Sequence, residues 1–382
     1  MRLRPASKPV RRGGGKRAMA KRVGVDKWLF FTTLSLVVVG LAMVFSASAV
    51  MAQVRFGSPY TFLKGQALWA FLGVIAMVVL MRVDYRHYNS KKFIYTAMGV
   101  TLLLLLAVFV VPGSHATHRW IRFGPFFTFQ PSEIAKPMLA LYLAWFLHTR
   151  LNAMRDWKHT LLPAVLPAVV FLALVVKEPD LGTALVLAGM TALVLLLAGM
   201  EWRYLLGGVA AVLPVLAVLL FMVSWRRARM MVFLHPEADP QGAGFHINQS
   251  LIAVGTGGWT GLGYMEGVQK LFYLPEPHTD FIFANIAEEL GFLGAIFILL
   301  LFVLMGFRGL RTVYLLRDPF ARLLAFGITT TILIQAFFNM SVVVALLPTK
   351  GIPLPFISHG GTSLCVMLAS IGILLNLTRE ID

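Results

Sequence analysis

Between Leu271 and Gly291 the chain reads LFYLPEPHTDFIFANIAEELG. His278, Thr279 and Asp280 stand at the head of an apolar run, and Glu288 and Glu289 lie inside it. Charge at the mouth of a membrane helix costs a few kcal/mol unless it is solvated or paired, so it marks a site. Two roles suit Asp280. As an acid at a helix N-terminus it would offset the macrodipole, worth up to about 1 kcal/mol. As a general base at a lipid–water boundary, among Phe281, Ile282 and Phe283, it would accept a proton from a substrate. Glu288 falls about 80° around an ideal helix from Asp280, with Glu289 on the opposite side. Glu289 reads as a partner for a basic residue elsewhere. Glu288 stays open between such pairing and a cavity.

Other candidates surround this stretch. In Pro112 to Lys136, Pro131 fits the first turn of a helix, where a missing N–H costs nothing. Glu133 and Lys136 then share a face three residues apart, as an ion pair or as direct participants. Arg226, Arg227 and Arg229 suit either phospholipid head groups or the guanidinium forks of a pyrophosphate site. Arg119, Lys270 and Lys350 are cations of the same kind, while Trp120 and Trp259 read as interfacial anchors. Leu346 to Ser363 is rich in Pro and Gly, and irregular backbone at membrane depth survives only when buried in protein or lining a wet cavity. No Walker, zinc or Rossmann signature appears.

The elements that must position these residues are membrane spans. The 382 residues are 58% hydrophobic and 13% charged, with a mean hydropathy of +0.78. A soluble domain carries about twice that charge. Apolar runs of about 17–25 residues fall roughly at 28–50, 63–82, 94–112, 132–148, 160–176, 181–200, 203–223, 280–306, 321–346 and 361–377. The fold class is therefore all-α and polytopic, with about ten spans. The connections after even-numbered spans are all basic, so both termini are expected inside, and Asp280 outside. A large outer loop, 224–279, joins spans seven and eight, and His246 to Val254 suits a short helix in the interface.

The net charge of +17 does not argue for nucleic acid. Much of it is crowded into residues 1–27, with Gly13 to Gly15 and a lone acid, Asp26, which suits a disordered cytoplasmic tail touching anionic lipid. The first apolar run is too long for a cleaved leader. A single cysteine, Cys365, rules out an intrachain disulfide.

Five segments in order, RWIRFGPFFTFQPSEIAK, EPDLGTAL, RRARMMVFLHPEADPQGAGFHINQSLIAVGTGGWTGLG, QKLFYLPEPHTDFIFANIAEELGF and LLPTKGIPLPFISHGGTS, resemble the signatures of the SEDS family (shape, elongation, division and sporulation). The resemblance runs from about Lys27 to Arg379, and the Leu347 to Gly351 run is similar to the division and sporulation branch. It implies a ten-span domain over 28–378 and a glycosyltransferase that polymerises lipid II on the outer face of the cytoplasmic membrane. It matches Asp280 to the family's essential aspartate. Trp120, His278, Thr279, Glu288, Lys350 and Ser358 join the residues expected to meet substrate. A class B penicillin-binding protein and other membrane proteins of the division machinery are the implied partners. No cofactor is required, although a divalent cation, Mg or Mn, would suit the leaving pyrophosphate. His359 stands where the family usually has tyrosine and Met265 to Gly267 replace a more polar segment; neither is expected to touch the His278–Thr279–Asp280 motif.

A lipid II flippase, with Glu133, Lys136, Glu288 and Glu289 lining a path, is the rival reading. A non-catalytic division scaffold is a third.

Overall fold

The computed structural model describes residues 24–381 except 111–118, 124–126, 223, 235–241, 243 and 350. The tail expected at 1–27 lies mostly outside the described residues, as does Lys350. The helices are α1 (Lys27–Phe56), α2 (Thr61–Arg82), α3 (Lys91–Ala107), α4 (Pro131–Leu147), α5 (Leu162–Lys177), α6 (Leu181–Leu197), α7 (Trp202–Phe221), α8 (Ser224–Leu234), α9 (Phe245–Thr256), α10 (Ile282–Leu315), α11 (Pro319–Val343) and α12 (Gly361–Leu377). Each apolar run of the sequence lies on a helix. Six helical segments, including α1, α2, α10 and α11, are long and apolar enough to cross a membrane among the described residues. The 17-residue α3, α4 and α6 are shorter, about 26 Å each.

Several local choices follow from sequence chemistry. The Asp26 carboxylate accepts from the Leu29 N–H and caps α1, Ser90 caps α3, Asp180 caps α6, and Pro131 opens α4 as its missing N–H permits. The all-α fold carries one small addition. Two short antiparallel strands, β1 (Ile121–Phe123) and β2 (Phe127–Phe129), precede α4, with Ile121 opposite Phe129. The chain must return to the head of α4 there, and a hairpin satisfies its backbone groups.

Connections sort into two ends of the bundle. At one end Arg308 pairs with Asp26, the Asp26 N–H donates to Thr378, Arg86 pairs with Glu380 at 3.0 Å, and Arg155 and Arg203 both reach Glu201. At the other end Gln130 donates to Asp180, Arg119 to the Glu178 carbonyl, and Thr362 to the Thr128 carbonyl. The basic connections thus gather on one face and the motif-rich ones on the opposite face.

The eighth apolar run differs from expectation. The sequence places a span at 280–306; the helix starts at Ile282, so Asp280 lies before it and the 80° relation to Glu288 does not apply. Gly291 breaks α10, with φ 66° and ψ −167°. The groups released by the break are recovered by the 257–263 stretch. The Leu262 and Gly263 N–H groups donate to the Glu288 and Glu289 carbonyls, and the Phe292 and Leu293 N–H groups donate to the Gly258 and Trp259 carbonyls, at 2.9–3.1 Å. That four-bond ladder requires backbones so close that a Cβ at Gly261 would sit 2.1 Å from the Glu289 carbonyl oxygen. The loop over 224–279 is therefore not a free excursion: it contains α8 and α9, and its 257–263 stretch is built into the top of α10.

Helix rise sets the depth of this junction. From Asp26 to Ser46 along α1, and from Arg308 to Glu289 along α10, is about 30 Å in each case. The Ser46 hydroxyl donates to Glu289, and Asp26 meets Arg308. Two antiparallel helices thus bracket about one hydrocarbon-core thickness between polar clusters.

Candidate functional site

The site forms where four segments meet at the motif-rich end: 276–281, the loop 349–360, the head of α6 and the upper part of α11. Asp280 is half-buried. A Cβ added at Gly351 would lie 2.9 Å from its Oδ2, and one added at Gly182, in the first turn of α6, would lie 2.3 Å from the Ile352 side chain. The carboxylate is thus pressed against a backbone that only glycine allows to come so near.

The backbone around Asp280 is fixed from both sides. Asn339 donates one amide hydrogen to the Asp280 carbonyl at 2.8 Å and the other to the Ile352 carbonyl at 2.7 Å. The Ser358 hydroxyl donates to the Thr279 carbonyl at 2.6 Å and accepts from the Leu354 N–H. The His359 N–H donates to the His278 carbonyl at 2.9 Å. Gln66 of α2 closes the loop, donating to the Ser358 carbonyl and accepting from the Gly360 N–H. His278, Thr279, Asp280 and Ser358 are brought together, and Ser358 acts there as a staple through its hydroxyl.

Glu133 and Lys136 form a buried ion pair at 2.8 Å, each 1% exposed. Lys136 also donates to Gln335 at 2.7 Å, and Gln335 donates to the Pro353 carbonyl at 2.9 Å. The pair therefore reaches the loop before α12 through α11.

Lys270 needs correction. As a cation reaching outward for substrate it would be exposed; it is 5% exposed. It pairs with Glu289 at 2.6 Å and donates to Ser46 at 2.9 Å. Glu289 also accepts from the Met265 N–H. Glu288 accepts from the N–H groups of Val268 and Gln269 at 2.9 and 3.0 Å. Both glutamates hold the 265–270 loop onto α10 instead of lining a path. Arg119 likewise spends its guanidinium on the Glu178 and Pro179 carbonyls. Trp120 is half-buried just before β1, and Trp259 is exposed against Phe292. Arg227 is exposed on α8. Arg226 and Arg229 share that helix, with their side chains outside the described residues, as Lys350 is.

His359 also departs from expectation, because it does touch the motif. Its ring lies 5.6 Å from that of His278, with Phe62 against both. Burial, then the Arg55 charge, brings His278 down to about 4; burial, then His278, does the same to His359. Both rings are neutral near pH 7. At the α5–α6 connection burial, then the Asp180 carboxylate, pushes Glu178 up to about 8, with Arg119 opposing. Neither carboxyl oxygen of Glu178 has a hydrogen-bond partner.

Sequence reasoning missed Asn339, Gln335 and Gln66. Gln335 and Asn339 did carry a signal: two amides one turn apart inside an apolar span, where polar groups are costly. Among the described residues no three His, Cys, Asp or Glu side chains converge as a metal cage.

Residues 27–382 match the family model of FtsW, RodA and SpoVE, described as cell cycle proteins. The chain is 44% identical over 359 residues to the probable peptidoglycan glycosyltransferase FtsW of Geobacter metallireducens, covering 93% of this chain and 95% of that one. It is 39% identical over 365 residues to the stage V sporulation protein E of Bacillus subtilis, covering 94% and 98%. It superposes with TM-score 0.77 and 32% identity on a chain of a peptidoglycan synthase complex that coordinates polymerization and crosslinking, covering 94% and 98%. With the rod shape determining protein RodA of Thermus thermophilus the TM-score is 0.68 at 27% identity, covering 94% and 98%.

Proposed function

The chain belongs to the SEDS family of FtsW, RodA and SpoVE cell cycle proteins, and we propose that it is a peptidoglycan glycosyltransferase of cell division that polymerises lipid II with Asp280 as its general base. The observation that carries this reading is the placement of Asp280: a half-buried carboxylate against Gly351, its backbone held by Asn339, at the end of the bundle where the motifs gather. A substrate with a polyprenyl tail in the bilayer and a sugar in water needs its reacting atoms at that level. By the positive-inside rule the basic face, which holds the described ends of the chain, is cytoplasmic, and the Asp280 face is outer.

Asp280 takes the proton from the 4-hydroxyl of the acceptor N-acetylglucosamine. The freed oxygen attacks the anomeric carbon of the donor as the bond to pyrophosphate breaks, and the leaving group departs with the electron pair. A single displacement inverts the anomeric configuration. Arg226, Arg227, Arg229 and Lys350 are the candidate cations for the pyrophosphate, since Arg119 and Lys270 are engaged within the protein. A divalent cation would supply further positive charge to the leaving pyrophosphate. The Glu133–Lys136 pair supports the loop over the site through Gln335. The partner is a class B penicillin-binding protein that crosslinks the strands, and the complex works at the septum of the cytoplasmic membrane.

Purified protein with that partner, given labelled lipid II and resolved on a gel, tests the reading. Wild type yields glycan polymer, and Asp280→Asn loses it by about 10²–10⁴-fold, the usual worth of a general base. Wild-type polymer from Asp280→Asn removes the role. Lipid II scrambling in vesicles without any polymerisation replaces the enzyme by a flippase.

A further inference from the structure

We propose that Asn339 of α11 is a positioning residue that sets where the Asp280 carboxylate stands, an inference that rests on Asp280 acting as the base. Its amide uses both hydrogens on carbonyl oxygens from different segments, Asp280 at 2.8 Å and Ile352 at 2.7 Å. Because both partners are carbonyls, the amide has one orientation only. It therefore ties the base-bearing segment to the loop whose Gly351 lies against the base.

Stability alone does not account for the residue. Asn339 is 2% exposed, and its Oδ1 has no hydrogen-bond partner. A buried acceptor left unpaired carries a desolvation penalty, so the two donated bonds come with a cost that an apolar residue would avoid. What the amide supplies and an apolar residue cannot is a fixed distance between two backbones. One turn below, Gln335 grips the Pro353 carbonyl and takes a hydrogen bond from Lys136. Two amides on one face of α11 hold the loop, and Asn339 alone of the two also reaches the Asp280 segment. A reacting group misplaced by about 1 Å loses up to roughly 10²-fold in rate. The buried Glu133–Lys136 pair then acts on the reaction through Gln335 and the loop, without meeting substrate.

The test is steady-state polymerisation of lipid II by the complex with its penicillin-binding protein, comparing Asn339→Ala, Asn339→Ser and Asp280→Asn with the combined Asn339→Ala/Asp280→Asn. Expected is a fall in kcat of tenfold or more for Asn339→Ala at unchanged KM, a smaller fall for Asn339→Ser, which keeps one donor, and no further loss when Asn339→Ala is added to Asp280→Asn. Asn339→Ser carries the comparison if Asn339→Ala does not fold. Wild-type kcat in both Asn339 variants, or a change confined to KM, overturns the inference while leaving Asp280 as the base. An active Asp280→Asn overturns the base itself and is read separately.

Discussion

Replacing Lys270 with methionine separates a substrate cation from an internal strut. The ammonium lies 2.6 Å from Glu289 and 2.9 Å from Ser46 in a cluster closed to solvent. Glu289 is 0% exposed and takes further hydrogen bonds from Ser46 and Met265. Lys270→Met keeps the length of the side chain and deletes the charge, leaving a buried carboxylate without its counter-ion. Breaking one side of such a pair costs about 3–5 kcal/mol. At roughly 2 °C per kcal/mol for a large domain, melting should fall by about 6–10 °C. Adding Glu289→Gln removes the orphaned charge while keeping an acceptor for the Met265 N–H, so the double variant should melt above Lys270→Met. The assay is thermal unfolding of detergent-purified protein, followed by dispersity on size exclusion. A Lys270→Met protein that melts with wild type and shows only a raised apparent KM for lipid II would refute the structural assignment and return Lys270 to the substrate.

Further outcomes follow from the same geometry. Gly261→Ala drives a Cβ into the Glu289 carbonyl at φ +82°, breaking a ladder whose bonds are worth about 1 kcal/mol each; unchanged melting would contradict the close approach. Gly351→Ala should displace the Asp280 carboxylate and cut polymerisation at least tenfold while melting changes little, read by the lipid II gel assay. The two buried histidines bind protons in the unfolded chain that the folded one excludes, so their contribution is complete above pH 6.5 and is lost as pH falls toward about 4. Melting followed from pH 7.5 to 4.5 should show that loss, and His359→Phe should flatten it. Glu178 has the opposite sign: folded, it holds a proton up to about 8, against the ordinary 4.5, so stability falls as pH rises through that window. Glu178→Gln should therefore raise melting at pH 8 relative to wild type, with less gain at pH 5.

Much of the architecture was legible in residue order. Apolar runs of spanning length, basic connections on alternate sides and Pro131 in the first turn of α4 are local signals, and each found its helix or its end of the bundle. Asp280 stood out as a candidate too, because an acid at the mouth of an apolar run is costly anywhere along the chain. Only the tertiary structure decided what the other charged residues do. Lys270 and Glu289 lie 19 residues apart, and Ser46 joins them from α1, across 243 residues from Glu289. Which cation is spent internally and which is left for substrate depends on partners that sequence distance hides. The break at Gly291 and the 2.8 Å bond from Asn339 to Asp280 have the same origin. A backbone group freed in one segment is satisfied by whichever segment the fold carries alongside it, and the position of Asp280 is fixed by such bonds.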